Sequence, residues 1–312
     1  AHPDDNELPM EIAGIAADGW LGDLLAGTTA QQIETITPPD SLHAQLRPYQ
    51  QRGLSWLAFL SQVGLGACLA DDMGLGKTLQ LLALEVTERV EPAGPSLLLC
   101  PMSLVGNWQA EARKFAPDLR VYAHHGPQRL RGQDLTDQLA RTDIVVTTYG
   151  TATRDLDELA EIDWNRVVLD EAQAIKNRHS RTAKAVGRLR GEHRVALTGT
   201  PVENRLGELW SIMDFLNPGL LGSAEKFRTR YAIPVERHAD SAAAARLRQV
   251  TRPYLLRRVK TDPTIIDDLP DKIEIKQYYR LTSEQASLYQ SVADDMMAKG
   301  RSRRGSRKQA KL

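Results

Sequence analysis

Six short apolar runs constrain this chain more than any other feature: GACLA, SLLLC, RVYA, DIVVTT, RVVLD and RVALTG. They are rich in Val, Leu and Ile, and their apolar residues run together rather than alternating with polar ones. A strand with one wet face alternates, so continuous runs call for burial on both faces, the condition of a parallel sheet. The stretches between them, such as LQLLALEVTERV and SLVGNWQAEARKF, are long enough for crossover helices. Strand alternating with helix predicts an α/β fold, a doubly wound and mostly parallel sheet with helices on both faces. Sheets of this kind bind ligands at the carboxyl ends of their strands. The residues just after each run are therefore where chemistry is sought.

The 312 residues, 42% of them hydrophobic, suffice for one large α/β domain with extensions. Residues 1–40 read as an acidic lead-in closed at Pro38-Pro39, and residues 41–218 as the sheet domain. Residues 219–260 read as a helical insert broken at Pro234, and residues 261–312 as a linker and basic tail. RPYQQRGLSWLAFLSQV places Leu54, Leu57, Ala58 and Val63 near helical spacing. The stripe Leu206, Leu209, Trp210, Met213 and Leu216 has the spacing of a core-facing helix, and TSEQASLYQSVADDMMAK opens with a helix-start signal.

No apolar run approaches the ~18 residues of a membrane helix. The opening AHPDDNELPM has no signal-peptide pattern and no initiator Met. The expectation is a cytoplasmic chain without a membrane partner, excised from a longer one. Cys68 and Cys100 lie in apolar runs and read as buried thiols of a reducing compartment. His124 and His125 show no zinc spacing and read as part of a solvated loop. Forty basic and forty acidic residues cancel, but residues 1–46 hold eight acids and no Lys or Arg. Forty basic against thirty-two acidic residues then leave +8 beyond them, a lean toward polyanions that decides nothing alone. The last stretch, KGRSRRGSRKQAKL, reads as a solvated tail, with nucleic-acid affinity as the lesser reading.

The strongest chemical signal follows the first run, in GACLADDMGLGKTLQLLALE. A strand, a glycine-bearing turn and Lys-Thr opening a helix make a phosphate-binding loop, here Met73, Gly74, Leu75, Gly76, Lys77 and Thr78. The glycines let backbone N–H groups curl around phosphate oxygens, and the helix start adds its positive dipole end. Lys77 can reach the terminal phosphates, and the Thr78 hydroxyl can ligate Mg²⁺. The full pattern has a further glycine where Asp71 stands. RVVLDEAQAIKN supplies the matching strand end, with Asp170 placed to hold Mg²⁺ and Glu171 to polarise the attacking water. ATP and Mg²⁺ are the expected ligands.

At these two motifs the chain resembles the Swi/Snf family of DNA-dependent ATPases, within helicase superfamily two. The likeness runs from about Arg47 to about Gln290. It implies a RecA-like sheet forming the first of two ATPase lobes, with residues 261–312 leading toward the second lobe. LRPYQQRGLSWL resembles the segment whose glutamine, here Gln50, recognises adenine. CPMSLVGNWQAEARKF resembles the motif that touches the nucleic-acid backbone, through Ser103, Asn107 and Trp108. Thr148 and Tyr149 of DIVVTTYG are similarly placed, with helix capping or a turn as the plainer role for such residues. LTGTPVENRLGELW implies that Thr198, Gly199 and Thr200, with Gln173 of the DEAQ motif, couple nucleotide state to DNA contact, and that Asn204 belongs with them. Asp72 stands where the family has Glu, a mild departure, whereas Asp71 agrees. The implied partners are double-stranded DNA, the second lobe that brings arginines to the ATP site, and a DNA-bound protein as remodelling target, in a nucleoid setting. The implied function is ATP-driven movement along duplex DNA without strand separation. A strand-separating DNA or RNA helicase, or a nucleotide-binding interaction module without turnover, stand as alternatives.

Overall fold

A computed structural model of the chain describes residues 33–89, 94–200 and 205–262, with a few positions between 282 and 291. Most of the acidic lead-in, most of the linker from residue 263, more than half of the helix expected from Thr282 and the basic tail lie outside the described residues.

Each of the six apolar runs contains a strand. They are β1 (Ala67–Leu69), β2 (Ser96–Cys100), β3 (Val121–His124), β4 (Ile144–Thr148), β5 (Trp164–Asp170) and β6 (Gly191–Leu197). A seventh, β7 (Leu255–Leu256), lies within residues 219–260, which the sequence reads as a helical insert. The order is β3-β4-β2-β5-β6-β1-β7, and every pairing is parallel. Parallel neighbours need crossovers, and the helices supply them on both faces.

The continuity of the runs follows from this burial. Every residue of β1, β2 and β4 is buried. Alternate side chains enter two separate cores. Cys68, Leu97, Leu99, Val145, Val167 and Leu169 face one. Ala67, Leu69, Leu98, Cys100, Val146 and Val168 face the other. Over the second core lie α1 (Pro48–Gln62), α2 (Lys77–Thr87) and α3 (Val105–Phe115), bringing Leu54, Leu57, Leu81, Leu84 and Trp108. On the edge of the sheet α4 (Gly132–Leu139) links β3 to β4, and the short α5 (Tyr149–Arg154) and α6 (Leu156–Leu159) follow β4. The first core is covered by α7 (Arg181–Arg188) and α8 (Leu206–Leu216), where Leu209, Trp210, Met213 and Leu216 form the expected buried stripe.

The helices beyond Pro218 share that first core through Phe227, Tyr231 and Leu247. They are α9 (Ala224–Phe227), α10 (Ile233–His238) and α11 (Ser241–Thr251), with Ser223 and Asp240 capping the first and last. Pro234 does not break this segment as expected. A π turn over Arg228–Ala232, whose Arg228 carbonyl accepts from the Ile233 N–H, carries the helix into α10 past Pro234.

At the amino end of β5, Arg166 is 1% exposed. It donates to Glu85 Oε1 at 2.7 Å and to Ser61 Oγ at 3.1 Å, and pairs with Glu88. Ser96 Oγ donates to the other oxygen of Glu85 at 2.8 Å. This polar knot ties α1, α2, β2 and β5 together inside the lobe.

Candidate nucleotide-binding site

The carboxyl ends of β1, β5, β6 and β7 converge on one edge of the sheet. After β1 the chain passes through Asp71 and Asp72, turns over 73–75 and enters α2 at Lys77. Gly74 and Gly76 both have φ near +80°, a conformation that L side chains rarely adopt. A Cβ on Gly76 would also collide with the Gln50 amide. Lys77 Nζ donates to the Asp71 carbonyl at 2.6 Å and the Asp72 carbonyl at 3.4 Å, so the amine lies across the loop. Burial pulls the Lys77 pKa down, opposed by the charges of Asp71, Glu171, Asp170 and Asp72. The amine is thus partly desolvated and faces a cluster of carboxylates, a setting that a polyphosphate with its metal would match. Thr78 is half-buried at the second position of α2, Leu75 is buried beneath the loop, and Met73 is 72% exposed at its tip.

Gln50 is buried in the first turn of α1. Its Oε1 accepts from the Arg47 N–H at 2.9 Å, and its Nε2 donates to the Leu75 carbonyl at 3.3 Å. One amide proton and one lone pair of this side chain remain for a base. Tyr49 braces the same carbonyl through its hydroxyl at 3.2 Å.

Across β6, Asp170 ends β5. Trp108 Nε1 donates to Asp170 Oδ2 at 2.8 Å, and the Glu171 N–H donates to Oδ1 at 3.0 Å. Burial raises the Asp170 pKa, the Trp108 hydrogen bond opposes this, and the Glu171 charge adds to it. Each oxygen keeps a further lone pair, so Asp170 could hold Mg²⁺, which commonly binds one or two carboxylates, water and substrate phosphates, and the Thr78 hydroxyl is the other hard oxygen the loop offers. Glu171 has φ 52°, ψ 55°, left-handed for a residue other than glycine. Such positions cost about 1–3 kcal/mol and persist only when their surroundings hold them. Here Gln173 Nε2 donates to Glu171 Oε2 at 2.6 Å, Thr198 Oγ1 donates to Gln173 Oε1 at 3.0 Å, and the Thr200 N–H donates to Thr198 Oγ1 at 3.1 Å. Glu171, Gln173, Thr198 and Thr200 thus form one hydrogen-bonded relay between the ends of β5 and β6. The Gly199 carbonyl accepts from Arg257 at 2.9 Å.

The residues assigned to nucleic acid divide. Ser103 and Asn107 are exposed beyond β2, with Asn107 bonded to Glu111 at 2.9 Å. Trp108 and Tyr149 point inward: Trp108 is 2% exposed on Asp170, and the Tyr149 hydroxyl donates to the Asp170 carbonyl at 2.8 Å. In this structure both position the carboxylate strand end rather than line an outer face. Thr148 is buried and caps α5, accepting from the Thr151 N–H at 3.1 Å. Asn204 lies outside the described residues. His124 is also not solvated as expected. It is fully buried at the end of β3, 3.2 Å from Asp155, which also receives Arg129 and Arg131.

The sequence places the Arg257–Arg258 pair in the linker and leaves open that it substitutes for the arginines of the second lobe. In the structure Arg257, Arg258 and Lys260 all reach Asp71, Asp72 or Gly74. The signal was the pair of arginines in RPYLLRRVK, whose partners 187 residues earlier no local pattern reveals.

An open parallel sheet with a glycine loop entering a helix beside two strand-end carboxylates defines the RecA-like class of ATPase cores. Within that class the chain belongs to the SNF2-related domain family, which matches residues 49–312. It is 47% identical to YwqA of Bacillus subtilis, which bears the name of an ATP-dependent helicase/translocase, across 86% of this chain and 29% of that protein. It is 42% identical to the TATA-binding protein-associated factor MOT1 of Saccharomyces cerevisiae, across 90% of this chain and 17% of that protein. The Sulfolobus solfataricus SWI2/SNF2 ATPase core, solved in complex with dsDNA, superposes with a TM-score of 0.70 at 44% identity, over 85% of this chain and 55% of that one. The chain thus spans under a third of the length of these curated relatives. Among the described residues no helix is long and apolar enough to cross a membrane.

Proposed function

We propose that this chain is the first ATPase lobe of a double-stranded DNA translocase, binding MgATP at residues 74–78 with Asp170 and Glu171. The observation that carries the reading is the loop after β1, with Gly74 and Gly76 at positive φ and Lys77 Nζ lying across it, on the sheet edge where β5 ends in Asp170 and Glu171 follows. In this reading the loop amides and Lys77 hold the phosphates, and Thr78 with Asp170 holds magnesium. Magnesium, when bound, supplies neutralisation of the phosphate charge. Glu171, held in its left-handed conformation, orients the attacking water, and Gln173, Thr198 and Thr200 relay the state of the site along the strand ends. In this reading the exposed Ser103 and Asn107 belong to the DNA side, and the relative solved with dsDNA supports DNA as the partner. The proposed partners are duplex DNA and a second RecA-like lobe, with a DNA-bound protein as remodelling target and a nucleoid location.

The positive charge that stabilises the transferring phosphoryl group is assigned to the second lobe. In related nucleotide hydrolases such an arginine is worth about 10³–10⁵ in turnover, or roughly 4–7 kcal/mol of barrier. Steady-state hydrolysis with long duplex DNA should therefore be far slower for this chain than for one extended through the next lobe. Turnover within about tenfold would defeat the two-lobe account. Stimulation by single-stranded but not duplex DNA would favour a strand-separating helicase.

A further inference from the structure

The strand that leaves the lobe is built onto the phosphate loop. The Ala70 N–H donates to the Leu256 carbonyl at 2.7 Å and the Asp72 N–H to the Arg258 carbonyl at 3.0 Å, so the pairing of β1 with β7 continues past both strands. Arg258, 7% exposed, grips the fully buried Asp71, with Nε 2.8 Å from Oδ1 and Nη2 on Oδ2. Its remaining donors go to Gln80 Oε1 at 2.7 Å and the Tyr49 carbonyl. Arg257 Nη1 bridges the Ala70 carbonyl at 3.1 Å and the Gly199 carbonyl at 2.9 Å, joining β1 and β6. The Lys260 N–H then donates to Asp72 Oδ2 at 3.1 Å. This turn leaves the Lys260 ammonium over the loop, 2.9 Å from where a Cβ on Gly74 would stand.

From this geometry we propose that Lys260 is a second phosphate-contacting cation of the nucleotide site, and that Arg258 is the positioning residue that delivers it. The inference rests on the nucleotide reading above. Gly74 has no side chain between its backbone and that ammonium, so a polyphosphate cradled by the loop comes within reach of it. A lysine on a flexible stem can follow a phosphate oxygen as a point charge. Arg258 cannot do so, because its guanidinium is committed to Asp71, Gln80 and Tyr49. The two cations therefore act differently: one touches ligand, the other fixes the strand. Because Lys260 lies on the segment leading out of the lobe, phosphate affinity and the placement of that segment become reciprocally coupled.

The test is calorimetric titration of the chain with MgADP and with Mg²⁺ and a slowly hydrolysed ATP analogue. Lys77→Ala should weaken both ligands and establishes that the loop is the site. Lys260→Ala should weaken both about fivefold to tenfold, the size of one ordinary net hydrogen bond. Its melting temperature should not move, because the side chain is exposed. Lys260→Arg should recover most of the affinity. Arg258→Lys should reproduce the loss, and adding Lys260→Ala to it should weaken binding no further, because the delivered group is already displaced. If Lys77→Ala loses affinity while Lys260→Ala stays within twofold of wild type, this proposal alone fails. A Lys77→Ala without effect would overturn the nucleotide site and this proposal together. Loss at Lys260→Ala with a lowered melting temperature and no recovery by arginine would make the residue structural and also overturn it.

Discussion

Two buried arginines sit at opposite ends of the same sheet. Arg166 lies at the amino end of β5, and Arg258 follows β7 at the carboxyl end. Both are nearly inaccessible and both hold a buried carboxylate; Arg166 adds Glu88 and the Ser61 hydroxyl, whereas Arg258 adds the Gln80 and Tyr49 oxygens. Their consequences differ because of what lies beside them. The Arg166 knot joins α1, α2, β2 and β5, elements already packed in one core, at the end of the sheet remote from the loop. The Arg258 knot joins the departing strand to Asp71, two residues before the phosphate loop. One chemistry thus stabilises the lobe at the amino end and couples the ligand site to the outgoing segment at the carboxyl end.

The largest expected effect is the loss of Arg166. Arg166→Ala leaves Glu85 and Glu88 without their cation, a kind of change that costs about 3–5 kcal/mol. Denaturant unfolding should show that loss, while nucleotide affinity of the folded fraction stays as in wild type. Altered affinity would erase the distinction between the two ends.

Arg258→Ala should cost somewhat less, about 3 kcal/mol, because Asp71 keeps a donor in the Gln80 amide at 3.4 Å. It should also weaken nucleotide binding, which Arg166→Ala should not. Equal behaviour of the two variants in both measurements would contradict the comparison.

A third knot, at the carboxyl end of β3, separates position from function. Asp155 accepts from Arg129 and Arg131 and faces His124. The hydrogen bond from Arg129, stronger than the burial that opposes it, holds its pKa below the ordinary carboxylate value. A folded pKa below the unfolded one means stability that is present above about pH 4 and is lost as pH falls through the folded value. Asp155→Asn should therefore cost about 2 kcal/mol at neutral pH, and the gap from wild type should close below about pH 4. A gap that persists in acid would show that packing rather than charge holds this corner.

The smallest effect has the opposite sign. Burial, with Glu171 adding to it, raises the Asp170 pKa, so its charge costs stability once pH exceeds the unfolded value near 4. Asp170→Asn keeps an acceptor for Trp108 and removes that charge, at the loss of the acceptor of the Glu171 N–H. It should stabilise the chain by about 1 kcal/mol near neutral pH, a gain typical of relieving a strained functional site. Thermal unfolding would read it, and a destabilised variant would argue against a functional compromise there.

Much of this was legible in the chain itself. Continuous apolar runs such as SLLLC and DIVVTT determine strands buried on both faces, because no one-sided sheet could hide them, and with the stretches between them they determine a doubly wound parallel sheet. The glycine loop before Lys77 and the carboxylates closing RVVLD mark the ligand edge, because turn geometry and strand ends are local properties. What tertiary structure decided is of another kind. Nothing local tells that Trp108 and Tyr149 face inward to Asp170, or that His124 is buried against Asp155. Nor does it tell that Leu255 and Leu256 pair with β1, or that Arg258 meets Asp71 across 187 residues. Those outcomes depend on which surfaces the assembled sheet and helices bring together, and a buried charge finds its partner only once that packing exists.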